Sequence, residues 1–248
     1  MVALLAALLV WQLLIPPVVG LADTFDFDRL WRWFGIGAPV VDPERRYFRY
    51  LIREWRIDPA AAEPSGFVSA DLIFVAISVA LNAMLSDPGV YDLRVLGAVR
   101  AAMLLVGAYL LMRVSRHGGA AMQATAAVAL LAVVADVGYI AYFNSGFTES
   151  GSLLFGLLAI ALYIRLALDE GARTVNIVAL VACCVLLVWS KPQNVLLAVP
   201  LALLAWRAIA ATGSRSSHIV AAVCAIVIVA GAALYLSLIH ISEPTRRS

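Results

Sequence analysis

Ile219-Val-Ala-Ala-Val-Cys224-Ala-Ile-Val-Ile-Val-Ala-Gly231-Ala-Ala-Leu-Tyr235-Leu-Ser-Leu238 runs without one charged side chain. A helix of that length reaches about 30 Å, the thickness of a bilayer's hydrocarbon core. The texture recurs along the chain. Apolar runs bounded by short polar breaks occupy residues 1–21, 69–85, 93–112, 120–142, 151–168, 175–189, 195–211 and 219–238. They are rich in Ala, Leu and Val with scattered Gly, as in helices that pack closely in lipid. The alternation of a transmembrane β-strand is absent. The pattern predicts an all-α fold, a polytopic transmembrane bundle of about 7–8 apolar segments.

Composition agrees. Hydrophobic residues make up 63% of the chain, charged residues 14%, and the mean hydropathy is +0.94. A soluble domain of this length cannot hide that much apolar surface, so the bilayer is the solvent. A net charge of +2 with no basic stripe excludes nucleic acid as a partner. Cys183, Cys184 and Cys224 lie inside apolar runs and read as packing residues. His117 and His218 sit in polar breaks without a second ligand at helical spacing. The first apolar block lacks a basic start and a small-x-small cleavage site, so it reads as a retained helix.

At the other end, Leu236-Ser-Leu-Ile-His240-Ile-Ser-Glu-Pro-Thr-Arg246 resembles the translation of a transposon-type sequencing adapter. The expectation is a transmembrane domain over 1–235, an N-terminal fragment, followed by a non-native tail over 236–248.

One sizeable polar region, residues 22–68, follows the first run. Within it, Arg46-Tyr-Phe-Arg49-Tyr-Leu-Ile-Arg53-Glu-Trp-Arg56 spaces arginines by three and four with aromatic and aliphatic residues between. That spacing predicts an amphipathic helix in the interface, or a surface helix packed on the protein. Orientation is in conflict. Breaks carrying Arg113 and Arg116, Arg165 and Arg173, and Arg207 and Arg215 fall on one side, which the positive-inside rule assigns to the cytoplasm. Strict alternation then places loop 22–68, with its seven arginines, inside too. For Asp23 and Glu149 to share a face, one run must fail to cross. Run 69–85, short and interrupted by Asp71, Ser78 and Asn82, is the candidate.

Three polar islands can carry chemistry. Asp23, Asp26 and Asp28 precede Arg29; carboxylates at i and i+3 share a face if the segment is helical. They suit a general base or a divalent cation, Mg or Mn; the bland alternative is a solvated acidic loop. The second island runs from Asp136 through Tyr139, Asn144 and Ser145 to Glu149. An unpaired Asp136 inside lipid is costly. The amide, hydroxyl and carboxylate groups can orient sugar hydroxyls and the tyrosines can stack on a sugar ring, or the residues simply cap adjoining helices. The third, Ser190-Lys191-Pro192-Gln193-Asn194, holds the chain's sole lysine beside a helix-breaking proline. Lys191 suits a phosphate, or snorkels to headgroups.

Together these islands resemble motifs of bacterial multi-pass glycosyltransferases of the GT-C superfamily. Gly20-Leu-Ala-Asp23-Thr-Phe-Asp26-Phe-Asp28-Arg29 is similar to their G-L-A-D-N-G-D-F-x-R stretch, with Thr24-Phe25 where Asn-Gly stands. Asp136-Val-Gly-Tyr139-Ile-Ala-Tyr-Phe-Asn144-Ser145, with Glu149, is similar to D-x-G-Y-x-x-Y-F-N-S-x-x-x-E, and Ser190-Lys191-Pro192-Gln193 to S-K-P-Q. The resemblance implies a polyprenyl-phosphate-linked sugar donor and a glycan, lipid or protein acceptor. It implies Asp23 or Asp26 as general base or metal ligand, and Arg29 or Lys191 on the lipid phosphate. Asp136, Tyr139, Asn144, Ser145, Glu149 and Gln193 would contact substrate. The setting it implies is the bacterial inner membrane.

Glycosyl transfer needs a carboxylate to take the acceptor proton and positive charge for the departing phosphate. No G-x-x-x-x-G-K loop for a nucleotide phosphate is present, which fits a lipid-linked donor. The competing expectations are a transporter or flippase-like protein with Asp136 and Lys191 along its path, and a non-catalytic membrane subunit.

Overall fold

The structure, a computed structural model, describes residues 1–24, 26–39, 50–168, 173–211 and 214–242, with side chains to 239. Among them, five helical segments are long and apolar enough to cross a bilayer: Leu93–Ala135, Glu149–Ala167, Arg173–Ser190, Pro192–Ala210 and Arg215–Ile239. The all-α membrane bundle is therefore the fold. Segment Leu93–Ala135 holds two helices, α4 (Leu93–Ser115) and α5 (Gly119–Ala135), separated where Gly119 takes φ 74°. Two apolar helices are shorter, α1 (Val2–Leu14) and α3 (Leu72–Leu85). Pro16 and Pro17 stop α1, since neither has an N–H to continue the ladder.

Two compact units divide the chain. The first comprises Met1–Phe67, Asp71–Leu105 and Ala127–Ser150. It contains the one-turn helices α2 (Asp28–Trp31) and α6 (Val137–Ile140). It also holds a small antiparallel sheet in the order β1 (Ile36–Gly37), β2 (Glu54–Ile57) and β3 (Val90–Asp92). The sheet corrects the expected amphipathic helix. Residues 46–49 lie outside the described residues, and Glu54–Ile57 is a strand. Trp55 points into the core while Glu54 and Arg56 face out, the period of two of a strand, which the helical spacing of the arginines masks in the sequence.

An aromatic cluster anchors this sheet. Trp31 meets Trp55 at 5.8 Å and Tyr91 at 5.9 Å, and Phe27 meets Trp31 at 5.7 Å. All four rings are buried. Tyr91 and Ser78 share a hydrogen bond of 2.7 Å, and burial pushes the Tyr91 phenol above the ordinary tyrosine range. A neutral acid whose folded pKa is raised contributes stability that is intact below its unfolded pKa and lost as pH climbs past it. The unfolding temperature in detergent should therefore drop above about pH 10. Tyr91→Phe should flatten that drop while giving up a hydrogen bond worth about 1 kcal/mol.

Helix α3 is shorter than the five long apolar segments. Its fourteen residues span about 21 Å against a core of about 30 Å. Asp71, at its N-terminus, meets Arg100, about two turns into α4. Near its other end, Asn82 donates to the Val90 carbonyl and accepts from the Asp92 amide. The C-terminal end of α3 thus abuts β3, while its N-terminal end lies beside α4 about two turns in.

The second unit comprises Val68–Ala70, Val106–Ala126 and Gly151–Ser248. It includes most of α7 (Glu149–Ala167), then α8 (Arg173–Ser190), α9 (Ala198–Ala210) and α10 (Arg215–Ser242). Helix α9 buries Ala198, Ala202, Ala205 and Ala208, a small-residue face that lets neighbours approach. Trp189 donates to the Gly231 carbonyl at 2.9 Å and stacks on Tyr235 at 5.6 Å. Helix α10 continues through Leu236–Ser242; the rest of the tail lies outside the described residues.

Candidate functional site

Residues 21–24 carry no regular structure and a turn at 26–27 leads into α2 at Asp28, so the helical condition under which Asp23 and Asp26 would share a face is not met among the described residues. Asp23 is buried, 1% exposed, whereas the Asp26 side chain is 44% exposed. On Asp26, Oδ1 lies 3.3 Å from Arg29 Nη2 and Oδ2 accepts the Thr24 hydroxyl at 3.2 Å. Arg29 stays 62% exposed; its carbonyl accepts from Ser65 and its guanidinium lies 5.8 Å over Phe67. A carboxylate and a cation thus stand side by side at the surface. Among the described residues no three His, Cys, Asp or Glu side chains converge as a metal cluster. With Asp26 engaged by Arg29 and Thr24, this donor set does not form a cation site by itself. A cation there would take further oxygens from substrate or water.

Within the same unit, the second island packs directly on this segment. Phe27 meets Phe147 edge-on at 5.1 Å, and Tyr142 meets Phe147 at 6.0 Å. A Cβ at Gly146 would lie 2.7 Å from Phe27 Cβ and 2.8 Å from its Cα, so only glycine admits the approach. Asn144 is fully buried; its amide donates to the carbonyls of Leu13 at 3.0 Å and Val19 at 2.8 Å. It thereby ties the chain leaving α1 to the island. A Cβ at Gly97 would collide with Asn144 Oδ1, which explains that glycine in α4.

A 3-10 turn over Ala141–Asn144 and the bend after it are largely buried, so the carbonyls of 142–147 need internal donors. Arg100 supplies them. This fully buried residue donates from Nη1 to the carbonyls of Tyr142 (3.0 Å), Phe143 (3.2 Å) and Ser145 (2.7 Å). Its Nη2 donates to Phe147 O at 3.3 Å and to Asp71 Oδ1 at 2.9 Å. Ser150 Oγ donates to the same carboxylate oxygen at 3.0 Å. Ser145 Oγ donates to Tyr142 O and accepts the Phe147 amide, so this serine shapes the turn.

Asp71 and Arg100 are the residues that reading for chemistry missed. The available signal was one acid and one base, each inside an apolar run, a pairing demanded by the cost of a lone charge.

Asp136 is exposed and caps α6, accepting the Gly138 amide at 2.8 Å. It ends the expected run 120–142 at Ala135, because a side-chain acceptor there offers the backbone an alternative to the helix. Removing the cap by Asp136→Ala should cost about 1 kcal/mol, read by thermal unfolding. Asp136→Asn keeps the acceptor and should leave both stability and activity unchanged. Tyr139 is 53% exposed.

Glu149 opens α7, at the edge of the first unit. Lys191 and Gln193 belong to the second unit, where Lys191 takes the extended backbone imposed by Pro192 and Gln193 is exposed. Beside them Asn194 donates to Ser152 Oγ at 2.8 Å and to Leu187 O at 2.9 Å.

Comparison with curated proteins and with solved structures returns no match. The family profile of the YfdI N-terminal transmembrane domain, by contrast, matches residues 1–245. With its apolar helices, that coverage makes the chain a multi-pass integral membrane protein that belongs to the YfdI N-terminal transmembrane domain family.

Proposed function

We propose that this protein is a GT-C-type glycosyltransferase of the bacterial inner membrane, moving a sugar from a polyprenyl-phosphate donor to a glycan, lipid or protein acceptor. One observation carries the reading: the exposed Asp26–Arg29 pair stands on a segment held against the 142–150 island by Phe27, Gly146 and Phe147. The Asp26 carboxylate takes the proton of an acceptor hydroxyl. The freed oxygen attacks the anomeric carbon, the bond from that carbon to the phosphate oxygen breaks, and the phosphate departs as an anion beside Arg29. A single displacement inverts the anomeric centre. Asp23, buried beneath, positions the segment.

The proposal requires the acidic segment and the island to face the side where the donor sugar is presented. Single cysteines at positions 26 and 148, in a background without Cys183, Cys184 and Cys224, should both react with an impermeant thiol reagent in intact cells. Membranes supplied with a radiolabelled isoprenyl-phosphate sugar should then show transfer that depends on this protein. Reaction of position 148 alone, or no transfer, would overturn the reading. A transporter would instead depend on Asp136.

A further inference from the structure

The first unit carries a groove that the proposed chemistry does not use. Ile77, Leu81 and Leu85 of α3 form one wall, and Val95, Val99 and Ala102 of α4 the other, of an open groove of about 580 Å³. The α3 residues are 45%, 41% and 73% exposed, so the groove opens at the protein surface. From Arg94 to Ala102 the helix climbs about 12 Å, most of the hydrocarbon depth of one leaflet, half of about 30 Å.

One end is polar. There Arg94 donates from Nη2 to Asp92 Oδ2 at 2.6 Å and from Nε to both carboxylate oxygens, at 3.1 and 3.0 Å. Its Nη1 reaches the Leu14 carbonyl at 3.4 Å. Three of the five guanidinium N–H groups are thus engaged, leaving two free to donate. The side chains are 32% and 14% exposed, Arg94 the more. This end presents adjacent opposite charges that sum to zero. An anionic head would meet the carboxylate along with the guanidinium, whereas a head bearing both signs finds a partner for each.

We propose that the groove binds a membrane phospholipid with a zwitterionic head. One acyl chain lies between α3 and α4, the phosphate accepts from Arg94, and the ammonium faces Asp92. Native mass spectrometry of the full chain tests this, with phosphatidylethanolamine, phosphatidylglycerol and an isoprenyl phosphate added in turn. A single phosphatidylethanolamine should be retained about tenfold more tightly than phosphatidylglycerol. Arg94→Gln and Val99→Trp should each lower that retention by about tenfold. Leu203→Trp, on the exposed face of α9, should leave it unchanged. No preference for phosphatidylethanolamine in the unmodified protein would overturn the proposal. So would undiminished retention by a folded Val99→Trp. Preferential retention of the isoprenyl phosphate would also overturn it and assign the groove to that lipid class.

Discussion

Arg100→Met should destabilise the protein by about 3–5 kcal/mol, enough to remove most folded material from the membrane. Two losses combine. Asp71 would be left as a buried carboxylate without its guanidinium, and the carbonyls of Phe143, Ser145 and Phe147 would lose their Arg100 donor, while Tyr142 O keeps Ser145 Oγ. The double variant Asp71→Leu/Arg100→Met separates them. If the ion pair were the whole effect, replacing both charges would be close to neutral, as with other buried pairs. Because the carbonyls stay unserved, a residual cost of about 1–3 kcal/mol should persist. Thermal unfolding of the two single variants and the double variant in detergent measures both terms. Full recovery in the double variant would show that the loop carbonyls find other donors, and Arg100 would then be a counter-ion only.

What could be read from the sequence follows from how lipid constrains a chain. A helix satisfies its own backbone, so run length and apolarity alone locate α4, α7, α8 and α10. Irregular backbone has no such local code. The break at Ala135 rests on a side-chain cap from Asp136, and the turn at 142–147 rests on Arg100, forty-odd residues upstream. The strand at Glu54–Ile57 is hidden because a period-two burial of one tryptophan overlaps arginines spaced for a helix. The polar interruptions of α3, Asp71, Ser78 and Asn82, are legible in the sequence, but their partners, Arg100, Tyr91 and the β3 backbone, are not. Asn144 shows the limit most plainly. Its residue type suggested sugar binding, yet both its donors hold carbonyls at the end of α1, and that use depends on a contact 131 residues away in sequence.

Asp26→Asn should lower the rate of sugar transfer by about 10²–10⁴-fold while leaving the protein folded. The two effects separate because the Asp26–Arg29 pair is largely exposed, 44% and 62%, and surface pairs of this kind contribute about 0–1 kcal/mol to stability. A loss of activity that large therefore cannot come from unfolding. It corresponds to about 3–5 kcal/mol of transition-state stabilisation, an effect of the proton's destination and not of the fold. Asparagine keeps the Thr24 hydroxyl bond and the side-chain shape but cannot accept the acceptor's proton. The rate constant kcat should fall with kcat/KM while KM holds, the signature of an interaction made only in the transition state. Arg29→Gln should instead weaken the leaving phosphate's stabilisation and lose about 10²–10³-fold. Asp136→Asn, which keeps the α6 cap, serves as the internal control and should transfer normally. Normal transfer by Asp26→Asn would remove the base from the mechanism. Loss of function in Asp136→Asn alone would move the chemistry to a charged path through the membrane, and with it the protein from the transferases to the transporters.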